Sequence, residues 1–283
     1  MVTIGQAARL TGVAEHTLRA WERRYGVFQP LRTGGGYRVY GEDALLRIRT
    51  MRDLVASGLA PKEASERLRE LDPPVSAVAP EVTAELVAAL SRIDATTAAR
   101  IVNTQFEARR FEVMVDDWLL PTMARVGRAW AAGEISEAGE HLVANIVMRR
   151  LAAAFDAVGI NPAVPPVIVG APPGVTHELG LLAFAVALRR AGVATIYLGA
   201  DVPPDAWSDA IAAAGAVMSI TAVPRRCDAR RVTLLAERLC TDHPGVPIAV
   251  GGRFQHLAPE ECRRLGHLVG PAALEVAQEL AGR

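Results

Sequence analysis

Residues Pro166–Gly192 read PVIVGAPPGVTHELGLLAFAVALRRAG. A short apolar run, VIVGA, ends in a turn rich in Gly and Pro. An apolar helix pattern, LLAFAVALRR, follows. Between them His177 sits in a loop bracketed by Gly174 and Gly180. Strand, loop and helix in this order form the first part of a βαβ unit. The histidine has two readings on these residues alone. It caps the helix, or it holds a metal.

The pattern repeats downstream. Strand-like runs VIVGA, TIYLG, AVMSIT and PIAVGG alternate with helical stretches 177–191, 204–214, 228–242 and 271–281. Strands alternating with helices predict a parallel sheet, and ligands of such sheets bind outside the carboxyl ends of the strands. His177 follows the first strand, Ser219 and Thr221 end the third, and Gly251 and Gly252 end the fourth. All five are therefore expected on one edge.

Two Pro-rich breaks divide the chain into three segments. Residues 1–71 are polar, helical and rich in Arg. DPPVSAVAP, Asp72–Pro80, reads as a linker. Residues 81–160 carry apolar residues at helical spacing, with Pro121 expected to start a helix and Gly133 to end one. Val158–Pro166 forms a second connection, and residues 161–283 make the α/β segment. We expect a multidomain protein: a winged helix-turn-helix, an all-α four-helix bundle and a C-terminal Rossmann-like α/β domain.

The 283 residues sum to zero net charge, which excludes a uniformly basic nucleic-acid binder. The average conceals an asymmetry. Residues 1–58 hold nine Arg against five Asp or Glu, a surplus of four positive charges, so the remainder carries four negative ones. A basic head on a slightly acidic body points to local anion binding. Cys227, Cys240 and Cys262 share no CxxC spacing, which argues against a disulfide framework or a cysteine zinc site. The N-terminus lacks a signal-peptide pattern, and no apolar run reaches the ~18 residues of a membrane span. A cytoplasmic protein is expected.

In the head, VTIGQAARLTGVAEHTLRAWERRYG (2–26) contains two short helices around Thr11–Gly12–Val13, a helix-turn-helix pattern. The second helix carries Thr17, Arg19, Arg23 and Arg24, and Arg can clamp phosphate or bond guanine edges. LRTGGGYRVYGEDA then reads as a wing, with Tyr37, Arg38 and Tyr40 as further candidates for DNA contact. Trp-Glu-Arg-Arg-Tyr-Gly followed by Gly-Tyr-Arg-x-Tyr resembles the MerR family of winged-helix regulators over residues 1–71. The resemblance implies Arg19, Arg23, Tyr37 and Arg38 as contacts to double-stranded operator DNA, with Leu18 and Trp21 in the core. Unlike typical members, this chain shows no sustained heptads after the head, so a coiled-coil dimer is not expected.

In the body, V-T-H-E-L-G (175–180), S-I-T (219–221) and G-G (251–252) are similar to the corrinoid-binding signature of methionine synthase and its relatives. That similarity implies His177 as the lower ligand of cobalt, with Ser219, Thr221, Gly251 and Gly252 lining the slot for the displaced nucleotide tail. Two positions depart. Val175 stands where a carboxylate usually supports the imidazole, and Thr221 replaces Leu. A carbonyl, a water or Glu178 could stand in for the missing carboxylate. Trp130, nine residues, then Glu140–His141 matches the helical cap over the upper corrin face in CarH/LitR-type photoreceptors, whose domain order this chain also shares. The family's light chemistry uses a His after that Trp, whereas this chain has Ala131. The photoproduct could then be ligated by water or His141, or the signal could differ from light.

The resemblance implies a repressor, not an enzyme. Adenosylcobalamin would assemble it into a tetramer from monomers or dimers, and light would disassemble it. The alternative is a MerR-type regulator sensing another cobalamin form, another tetrapyrrole or a partner protein. A corrinoid methyltransferase or mutase component is a third reading, disfavoured by the DNA-reading head.

Overall fold

A computed structural model describes residues 2–28, 31–32, 38–40, 42–56, 58–71, 80–159 and 164–282. The expected linker core Asp72–Ala79 and candidate Tyr37 lie outside these residues. The chain divides into two compact units, residues 1–74 and 75–283.

The first unit begins with β1 (Val2–Thr3), α1 (Ile4–Thr11) and α2 (Glu15–Tyr25). Thr3 caps α1 in a reciprocal box with Gln6, and Gly12 ends it at φ 69°. A left-handed residue at this position favours glycine, and it turns the chain directly into α2. β2 (Leu31–Arg32) and β3 (Arg38–Tyr40) form the wing, with β3 central between β1 and β2 and antiparallel to both. α3 (Glu42–Ala56) and α4 (Pro61–Leu71) follow. Leu18, Trp21, Phe28, Tyr40, Leu45, Ile48, Met51 and Leu68 make a core that belongs to this unit alone.

The second unit starts with α5 (Pro80–Ser91), α6 (Ala95–Ala108), α7 (Phe111–Met114), α8 (Leu120–Ala131) and α9 (Glu137–Asp156). Pro121 stands in the first turn of α8, as expected. α7 and α8 form one rod, joined through a π-helical turn at Val115–Leu119. A proline inside an α-helix clashes with the carbonyl four residues back, and the wider turn before it accommodates the ring. Gly133, at φ 74°, follows the end of α8, as expected. Gly139 lets α9 approach α5, because a Cβ there would lie 2.8 Å from the Leu90 carbonyl oxygen.

The sheet comprises β4 (Val167–Gly170), β5 (Thr195–Gly199), β6 (Met218–Ala222), β7 (Ile248–Gly251) and β8 (Arg263–Arg264). They run parallel in the order β5-β4-β6-β7-β8. Between them lie α10 (Leu179–Arg190), α11 (Pro204–Ala214) and α12 (Ala229–Asp242), and α13 (Val269–Ala281) closes the domain. β8 escapes the hydrophobic pattern because both of its residues are arginines, held by backbone pairing and by ion pairs such as Arg263–Glu279.

Val167, Val169, Met218 and Ile220 share one core with α10, α13 and the bundle. Alternation sends Ile168, Gly170, Ser219 and Thr221 to the opposite face, where Trp207 of α11 packs on Gly170. Leu181–Leu188 of α10 are buried throughout because α9, α13 and the sheet surround that helix. This explains the apolar run without a membrane, and among the described residues no helix is long and apolar enough to cross one.

Candidate functional site

On α2, Arg19 and Arg23 project from the side opposite Leu18 and Trp21 and are exposed, whereas Thr17 is partly buried. Arg19 pairs with Glu15 at 3.7 Å. The wing's Arg38 donates from Nε to Glu22 Oε1 at 3.2 Å, tying β3 to α2. The basic side chains of helix and wing therefore share a surface. Tyr40 does not join it. The expectation of a DNA contact is corrected here: the residue is fully buried, with Phe28 at a ring distance of 6.1 Å and no hydrogen-bond partner for its hydroxyl among the described residues. An unsatisfied buried hydroxyl costs roughly 1–3 kcal/mol. Tyr40→Phe is therefore expected to raise the head's melting temperature by a few degrees and to leave DNA affinity unchanged, measured by calorimetry and gel shift.

In the second unit the His177 loop is held by its neighbours. The Gly174 amide donates to Asp201 Oδ1 at 2.6 Å, and the Asp201 amide donates to the Val175 carbonyl at 3.3 Å. Gly174 has φ 76°. Val175 is fully buried in the main core, so the position that usually supplies a carboxylate here supplies packing. Glu178 is also committed elsewhere, accepting the Tyr197 hydroxyl at 2.6 Å, and burial pushes that phenol well above its usual range. The His177 ring is open to solvent on one side. It makes no hydrogen bond to a described residue. Burial lowers its pKa, and the Arg225 charge lowers it further, so the neutral, ligand-competent imidazole is favoured.

Beneath that edge, Ser219 and Thr221 are 1% and 2% exposed, yet neither hydroxyl has a hydrogen-bond partner among the described residues. Buried polar groups are nearly always satisfied, so two orphans on one face call for a ligand or solvent. Trp207 adds a third, its indole N–H buried and without a partner. It lies against Gly170, one residue beyond the Val169–Ile220 pairing that puts β4 beside β6. The sequence reading missed this Trp because nothing in PDAWSDA distinguishes a slot wall from a core residue. Gly252 has a structural duty: φ is 87°, and a Cβ would lie 2.8 Å from the Val223 carbonyl oxygen. Gly251 meets only a Leu265 methyl at 3.8 Å from where a Cβ would sit.

From the bundle side, Trp130 is 51% exposed at the end of α8. Glu140 stands in the first turn of α9 and His141 follows it, with His141 between Glu137 at 3.6 Å and Glu140 at 3.8 Å. The Glu140 charge acts on His177 in the direction that opposes its lowering by burial and Arg225. Ala131 is exposed and offers only a methyl.

Residues 2–71 match the MerR HTH family of regulatory proteins, residues 82–154 one B12-binding domain family and residues 165–278 a second. The HTH-type transcriptional repressor CarA of Myxococcus xanthus is 31% identical over 87% of this chain and 84% of its own length. The repressor CarH of the same organism is 30% identical over 93% of this chain and 92% of its own. The monomethylamine corrinoid protein of Methanosarcina barkeri is 16% identical, covers 69% of this chain with 98% of its own and superposes with a TM-score of 0.55, a likeness of fold. A MerR-type head, a helical cap, a five-stranded parallel sheet and these relatives lead to one conclusion: the chain belongs to the CarA/CarH family of B12-binding, MerR-type transcriptional repressors.

Proposed function

We propose that the protein represses transcription from operator DNA while it holds adenosylcobalamin, and that light relieves the repression. The observation that carries this reading is the pair of orphaned hydroxyls, Ser219 and Thr221, under the strand edge that bears His177. A small-molecule site is concave and needs a few convergent polar groups. His177 would take the cobalt from below, Ser219 and Thr221 would hydrogen-bond the nucleotide tail, and Gly251 and Gly252 border that slot. Trp130, Glu140 and His141 would face the upper side. Among the described residues no three His, Cys, Asp or Glu gather for a metal, which suits a metal that arrives already ligated by its macrocycle. When bound, adenosylcobalamin supplies a visible chromophore and a cobalt–carbon bond that light cleaves.

Arg19, Arg23, Tyr37 and Arg38 would contact the DNA. Assembly of the loaded bodies into a tetramer would link several heads, and linked heads gain affinity because each further contact is effectively intramolecular. The cofactor can shift this equilibrium only through its different affinity for the two assembly states. The protein would work in the cytoplasm, where its operator lies.

Protein reconstituted with adenosylcobalamin in darkness is expected to elute as a tetramer with a cobalamin spectrum. After green illumination it is expected to elute as a smaller species, with a changed spectrum and a weaker gel shift. Failure to retain a coloured cobalt ligand would end the reading. Ala131 favours one rival, a sensor of a different cobalamin form without photochemistry. That rival predicts tight binding and assembly with methyl- or hydroxocobalamin and no response to light.

A further inference from the structure

Trp207 packs on the sheet face that carries Ser219 and Thr221, and its fully buried indole N–H has no partner among the described residues. The two hydroxyls share that condition. An orphan by itself says little, since the Trp118 indole is equally unpartnered inside the core that bundle and sheet share. Convergence is what separates Trp207. Its Cζ2 lies 3.0 Å from where a Cβ on Gly170 would stand. β4 and β6 pair as Ile168–Ser219 and Val169–Ile220, so the next step sets Gly170 beside Thr221 on the same face. The indole therefore rests about one strand spacing, roughly 4.8 Å, from the Thr221 position.

The helix that carries it is fixed. The Ser208 hydroxyl donates to Asp242 Oδ2 at 2.7 Å, and Arg238 Nη2 pairs with Asp205 Oδ1 at 3.1 Å, which ties α11 to α12 on both sides of Trp207. Ile211, one turn further along α11, is buried with it. A side chain at position 170 would meet the indole, the Gly199 carbonyl oxygen at 3.2 Å and the Leu198 Cβ at 3.2 Å, so glycine leaves the strand end flat beneath the ring. Serine and threonine hydroxyls donate or accept, whereas an indole only donates. The group that satisfies Trp207 is therefore an acceptor.

We propose that the Trp207 indole N–H donates to the nucleotide tail of the bound cobalamin and makes the slot selective for corrinoids that carry such a tail. The proposal rests on the reading that the tail enters beside Ser219 and Thr221. A tail released from cobalt offers what a lone donor needs, because its base has a freed ring nitrogen and its ribose and phosphate carry acceptor oxygens. A site built to hydrogen-bond one group rejects the analogue that lacks it, since the buried polar atoms then stay unpaired.

The test uses the full chain in darkness with two probes, adenosylcobalamin and adenosylcobinamide, which share corrin and upper ligand and differ in the tail. Wild type is expected to bind the first more tightly. Trp207→Phe is expected to lose about tenfold in affinity for adenosylcobalamin, the effect of one hydrogen bond, and to bind adenosylcobinamide as wild type does. A second readout needs no variant at this position. In ¹⁵N-tryptophan-labelled protein the Trp207 indole resonance is identified by elimination with Trp21→Phe, Trp118→Phe and Trp130→Phe. It is expected to move downfield with adenosylcobalamin and to hold its position with adenosylcobinamide, and it decides the matter if Trp207→Phe fails to fold. Unchanged affinity in the variant, equal losses for both probes, or a resonance indifferent to the tail would overturn the proposal and leave the tail beside Ser219 and Thr221. Equal wild-type affinity for the two probes would overturn the tail reading itself, and the proposal with it.

Discussion

His177→Ala protein is expected to lose cobalamin affinity by more than ~100-fold, beyond the range that follows from disturbing only the partner of a metal-bound imidazole. Cofactor-driven assembly is expected to disappear with it. The ring stands alone at the sheet edge. His141 belongs to α9 across the space, and no cluster of ligating side chains among the described residues can replace it. The fold should barely notice the loss. The ring is partly open to solvent and donates no hydrogen bond to a described residue, so the apo protein's stability should stay within roughly 0.5 kcal/mol of wild type. Absorbance titration gives the affinity, light scattering the particle size and calorimetry the stability. Tetramers of wild-type size with wild-type affinity would remove His177 from the site.

Trp118→Ala is expected to produce the largest loss of stability. Trp118 lies in the π turn, 1% exposed, among the largest fully buried side chains. It belongs to the core that the bundle shares with the sheet, so truncation opens a cavity at the centre of the second unit. Removing a buried Trp costs about 3–5 kcal/mol, against a total of roughly 5–15 kcal/mol for a domain. The transition of this unit should fall by about 6–20 °C, while the head's should not move. Trp118→Phe is expected to lose much less. It refills most of the volume and removes an indole N–H that has no partner among the described residues. Differential scanning calorimetry separates these outcomes, and an unchanged transition in Trp118→Ala would mean the bundle core repacks around the loss.

Much of this architecture is legible in the chain. The four strand-like runs and the helices between them appear in the structure close to their expected places, such as Pro204–Ala214. Gly12 marks the turn of the helix-turn-helix because a left-handed residue there favours glycine. The start of α8 at Pro121 was legible, but its continuity with α7 was not, since nothing in the sequence announces the wider turn that joins them. Tyr40 shows a second limit. Arg38 and Tyr40 share a face by alternation, yet Arg38 is exposed and Tyr40 lies against Phe28 in the core. Alternation reports a face and is silent on which end of a strand the rest of the molecule covers.

The sequence by itself determined the order of head, bundle and sheet, and the edge on which His177 must lie. These follow from hydrophobic period and from the rule that a loop after a parallel strand opens at its carboxyl end. Only the tertiary structure decided what surrounds that imidazole. The strand order puts β4 beside β6, which brings Arg231 over Gly174 and Asp228 within electrostatic reach of His177. Backbone pattern is local and leaves its mark in neighbouring residues. Charge acts through space, so its partners are known only once the sheet has set which loops are neighbours.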